Sequence, residues 1–109
     1  MRISLSIERI TKDATHHVVH ARCIHGPVRI GDRFTVVYTV KLNPDFSTTE
    51  TIIHVIIDLE VVRLVTYGKP MESIDEGLTL SAWVSGHGAE GLAPGQYVSN
   101  GPSTIGPRS

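Results

Sequence analysis

The chain has 109 residues, 40% hydrophobic and 19% charged, and a net charge of −1 with histidine neutral. That size fits one domain with a single core; the near-zero charge excludes a general attraction to nucleic acid or anionic membrane, and Cys23, the single cysteine, excludes an internal disulfide. No apolar run approaches the roughly 20 residues of a membrane helix and the N-terminus lacks the pattern of a signal peptide, so a soluble cytoplasmic protein without membrane contact is expected.

In chain order, nearly every segment reads as strand. Ile3, Leu5 and Ile7 alternate with polar residues, a period of two with one face buried. Thr11-Lys12-Asp13-Ala14 reads as a turn. A second strand, His17 to His25, places Val19, Ala21 and Cys23 on one face and Val18, His20, Arg22 and Ile24 on the other, until Gly26-Pro27 breaks it. Gly31-Asp32 is a further turn, and Phe34 to Val40 is rich in β-branched and aromatic residues. Asn43-Pro44-Asp45 opens a polar loop running to about Thr51. The long run Ile52 to Val65 then changes phase: Leu59 and Val61 share a face, and Leu64 continues it three residues later. One extra residue is the signature of a β-bulge.

Beyond Tyr67-Gly68-Lys69 an acidic turn closes on Gly77. Gly77 to Ser85 alternates again, with Leu78, Leu80, Ala82 and Val84 inward, and Gln96 to Ser99 is a short last strand. Residues 1–99 form the domain, and Asn100 to Ser109, with two prolines and two glycines, is expected to be a flexible tail. Many short strands with Gly/Pro turns indicate an all-β fold. A single antiparallel closed barrel of about six to seven strands would also hide the sheet edges.

The order of features in residues 57–99 carries a resemblance: a strand ending in Tyr67-Gly68-Lys69, an acidic turn to Gly77, a strand to Gly86, and Leu92-Ala93-Pro94-Gly95 before the last strand. It resembles the second domain of translational GTPases, the β-barrel that follows the G domain in elongation factor Tu and its relatives. Leu5 to Ile10 looks like the opening strand of that barrel, and His25 to Asp32 like its second turn, so the resemblance spans about residues 3–99, with an insertion at Lys41 to Thr51. In elongation factor Tu the opening strand and the strand after the acidic turn help line the pocket for the amino acid and terminal adenosine of aminoacyl-tRNA. Glu8 matches an acidic position of that pocket. Arg9 replaces an aspartate, which reverses the local charge; Thr11 replaces an aromatic residue and Thr79 an asparagine, which removes a stacking surface and an amide; these departures argue against an intact aminoacyl site. The chain has no phosphate-binding loop, so no GTP binding by this chain alone is expected.

Few constellations carry chemistry. His16 and His20 share a strand face but stand more than about 13 Å apart at the roughly 3.3 Å rise of a strand, too far to chelate one ion; His54 would have to join across strands. No metal, cofactor or catalytic residues are therefore assigned. Ser85-Gly86-His87-Gly88 reads as a loop and not as a mount for a nucleophile. Cys23 reads as an inert buried thiol. Trp83 points outward by parity with Ser81 and Ser85, either as an anchor for a partner or covered by the tail or the 43–51 loop. Arg63, Tyr67 and Lys69, near one strand end and its turn, read as a solvated rim or as a small basic-aromatic patch for RNA. The expectation is a non-catalytic binding module for a protein or ribonucleoprotein partner, with a small immunity-type inhibitor of one enzyme as the alternative.

Overall fold

The computed structural model describes residues 3–42, 44–45 and 48–100, and among these the backbone alone at 40–42 and 48–56. Nine strands occur among them: β1 (Ser4–Asp13), β2 (His16–His25), β3 (Val28–Arg29), β4 (Arg33–Leu42), β5 (Thr48–Thr66), β6 (Lys69–Met71), β7 (Ser73–Ile74), β8 (Thr79–His87) and β9 (Tyr97–Ser99). One turn of 3-10 helix, Ala89–Gly91, precedes β9. Strands β4, β9, β1, β2, β8 and β5 follow one another, and β4 also pairs with β5. That last pairing closes a six-stranded antiparallel barrel, with β6 added beside β5 and a small β3–β7 ribbon alongside.

The core follows from the alternation. Ile3, Leu5 and Ile7 of the opening segment, Val19, Ala21 and Cys23 of β2, Phe34 and Val37 of β4, and Leu80, Ala82 and Val84 of β8 are all buried in one cluster. The bulge expected in the long strand is present. Against β8 the register of β5 shifts between Val61 and Arg63, and Leu59, Val61 and Leu64 are all at most 1% exposed. Without the extra residue, Leu64 would point to solvent. A Cβ at Gly86 would collide with the Asp58 carbonyl oxygen; β5 and β8 approach so closely there that only glycine fits.

Four expectations need correcting. Thr11 to Asp13 continue β1, and the turn is Ala14-Thr15 alone, so β1 and β2 form a tight hairpin. Leu78 is not inward: at 38% exposed it lies before β8 begins, with its backbone tied to Cys23 and Asp75. The polar loop ends earlier than Thr51, because β5 starts at Thr48 and pairs with Leu42. Asn100 belongs to the domain and not to the tail. Its side-chain oxygen accepts from the Ile3 N–H at 2.7 Å and its N–H donates to the Ile3 carbonyl. The remainder of the expected tail, 101–109, lies outside the described residues.

Candidate functional site

The outer side of β1, β2, β8 and β5 carries the residues singled out by parity. Register sets them in rows across the four strands: Thr11, Val18, Trp83 and Arg63 in one, and Arg9, His20, Ser81 and Val65 in the next. Trp83 faces away from the core, yet it is only partly exposed. Its indole N–H donates to Asp13 Oδ2 at 2.8 Å. Asp13 sits on β1, one strand beyond β2, so the ring crosses β2. Val18, opposite Trp83 in register, is only 3% exposed although parity turns it outward; the crossing ring accounts for that burial. The Arg63 guanidinium lies over the indole, 5.0 Å from the ring centre, within cation–π range. Trp83 is thus a fixed platform with a hydrogen bond at one end and a cation on its face.

A hydrogen-bonded chain runs from the first row into the second. Thr11 Oγ1 meets His20 Nε2 at 2.8 Å, and His20 Nδ1 meets Ser81 Oγ at 2.8 Å. Desolvation by burial, helped by the Arg9 charge, lowers the His20 pKa below its ordinary 6.5. The ring is therefore neutral at pH 7, donating to one hydroxyl and accepting from the other. The Ser81–His20 contact has the reach of a nucleophile and its base, but the far ring nitrogen is held by a threonine hydroxyl where a triad places a carboxylate. Such a hydroxyl cannot stabilise an imidazolium as a carboxylate does.

Beside this chain lies an open depression of about 230 Å³, lined by Glu8, His20, Tyr67, Thr79 and Ser81 among others. Tyr67 stands at its rim, 80% exposed. It occupies the first place of the two-residue turn joining β5 and β6, with φ 51°, followed by Gly68 at φ 76°. Such a turn needs left-handed backbone at both places, which glycine adopts freely and a bulky aromatic does not.

The structure thus brings Arg63 and Trp83 into contact and sets Tyr67 at the depression. Lys69, paired with Thr66 on β6, is exposed on the strand added beside the barrel. Thr11, His20 and Ser81 were missed as a unit. Parity marks His20 and Ser81 as outward, but their pairing depends on a register between residues 61 positions apart. Glu8 and Thr79, singled out through the resemblance, line the same depression.

The Cys23 thiol is buried, and burial pushes its pKa up, which keeps it protonated and unreactive. His25 Nδ1 is buried without a hydrogen-bond partner. Among the described residues no three His, Cys, Asp or Glu side chains are grouped to hold a metal ion; the His54 side chain lies outside them. Nor is any helix among them long and apolar enough to cross a membrane. No protein-family model matches this chain, and no curated protein does either.

Proposed function

We propose that this chain is a non-catalytic binding module that docks on a ribonucleoprotein partner through the outer side of β1, β2, β8 and β5. The observation that supports it best is Tyr67, a bulky aromatic held in left-handed backbone at 80% exposure, on the rim of the depression. Strained backbone persists where surrounding structure enforces it, and it concentrates at binding and active sites. Around it lie Arg9, Arg22 and Arg63 of that face and Lys69 of the added strand β6, with Glu8 and Asp13; the acids Asp58 and Glu60, further along the outer side of β5, are engaged by Arg33. Cations for phosphates beside aromatic faces for bases are what single-stranded RNA requires.

The resemblance to the second domain of translational GTPases supports a place near the cytoplasmic translation apparatus. Arg9, Thr11 and Thr79 depart from that family's aminoacyl pocket, so the reading does not extend to aminoacyl-tRNA. Catalysis forms no part of it, because the Ser81–His20 pair lacks an orienting carboxylate.

The test is affinity capture of the tagged chain from lysate of its own source, with and without RNase, read by mass spectrometry. Ribosomal proteins or tRNA-bound factors are expected, lost on RNase treatment and reduced at least about tenfold by Tyr67→Ala with Arg63→Glu. Unchanged capture by those variants and by Trp83→Ala would remove the proposed surface. A single RNase-resistant partner would replace this reading with that of a dedicated inhibitor.

A further inference from the structure

Among the described residues, the second half of β1 is paired on one side alone. β9 pairs with β1 only at Ser4, Leu5 and Ser6, and backbone bonds to Gly95 and Gln96 extend this to Ile7. Beyond Ile7 the register of β1 shifts, and Arg9 to Asp13 run on against β2 alone. Asp13 and His16 close the two-residue hairpin. The closing pair of such a hairpin exchanges its hydrogen bonds, and bonded pairs recur at every second residue. Thr11 and Asp13 therefore turn their backbone groups towards β2, while Ile10 and Lys12 turn theirs away. Among the described residues no strand meets that side, and Arg9, Thr11, Lys12 and Asp13 are all exposed.

We propose that this edge joins two copies of the chain, β1 to β1, antiparallel about a two-fold axis at Thr11. In that register the free groups of Ile10 meet those of the second copy's Lys12, and Lys12 meets its Ile10. Both out-turned residues of each copy are satisfied; a shift either way pairs only one of them within the regular part of the strand. The same register sets Arg9 opposite the second copy's Asp13 and Asp13 opposite its Arg9, opposite charges on the outer side of both sheets. Thr11 faces Thr11, a favourable cross-strand pair. Edge strands left open are templates for such pairing, and charge complementarity selects a second copy over an arbitrary peptide. The inference is independent of the proposed function: an RNA-binding face and a monomer, or a dimer that binds no RNA, are separately observable.

Sedimentation equilibrium of the purified chain tests it. Because an edge contact is small, a concentration-dependent dimer is expected at around 100 µM. Arg9→Asp and Asp13→Arg, each alone, place like charges across the axis and should each weaken association at least about tenfold. Mixing the two variants sets aspartates of one copy against arginines of the other, and dimer should return. Lys12→Pro, which removes an out-turned N–H that β2 does not use, should also give monomer, with an unchanged circular dichroism spectrum. A chain that stays monomeric throughout, a dimer indifferent to these substitutions, or no recovery on mixing would each overturn the proposal.

Discussion

The wall of β5 and β8 presents two surfaces that are held in different ways. Inward, Val61, Leu64, Ala82 and Val84 are buried to within a few per cent and packed on one another. Outward, one residue away along the same strands, Arg63, Ser81 and Trp83 are held by a cation over a ring and by hydrogen bonds to Asp13 and His20. The inner surface gains from removing apolar area from water, a non-directional effect that grows with every contact. The outer surface relies on a few directional contacts in water, each worth about 1 kcal/mol or less. The inside therefore sets whether the chain folds. The outside sets how a few side chains are presented, and it can be altered with little loss of stability.

Truncation inside should have the largest effect. Leu64→Ala empties a fully buried position and should cost about 2–5 kcal/mol in chemical denaturation; a loss under 1 kcal/mol would place the bulge and its packing in doubt. The outer counterpart is Trp83→Phe, which deletes the bond to Asp13 and keeps a ring under Arg63. It should cost about 1 kcal/mol, and Asp13→Asn should cost less, since an amide oxygen still accepts. A loss as large as that of Leu64→Ala would mean that the indole belongs to the core.

The smallest effect sharpens the contrast through pH. Folded His20 takes up its proton less readily than the unfolded chain, whose ordinary value is 6.5. Unfolding therefore binds protons as pH falls through 6.5, and stability decreases until the folded form is protonated too. Denaturation midpoints of the natural chain and of His20→Gln, compared at pH 7 and at about pH 5.5, should differ in slope, with the variant losing less. Equal slopes would show that His20 contributes nothing to the dependence.

Most of the inner surface was legible in the chain, because burial in a strand leaves a period-two trace. The phase change at Leu64 revealed the bulge for the same reason. Leu78 was misplaced because alternation continues past the point where β8 begins, and hydrophobicity alone does not mark a strand's end. The hairpin turn was read two residues early because Thr11, Lys12 and Asp13 are polar on both sides, as an edge segment without a covering strand permits.

The outer surface left a weaker trace. Parity put Trp83, His20 and Ser81 on the outside, and the turn at Tyr67-Gly68 was evident. The sequence by itself thus determined the all-β class, most of the inward residues and the bulge; each follows from local periodicity and turn chemistry. Only the tertiary structure decided that Trp83 lies across Val18 to reach Asp13, that His20 bridges Thr11 and Ser81, and that Glu8, Thr79 and Tyr67 share one depression. Those outcomes depend on strand order and register between residues up to 70 positions apart, and pairing at that distance leaves no local pattern to read.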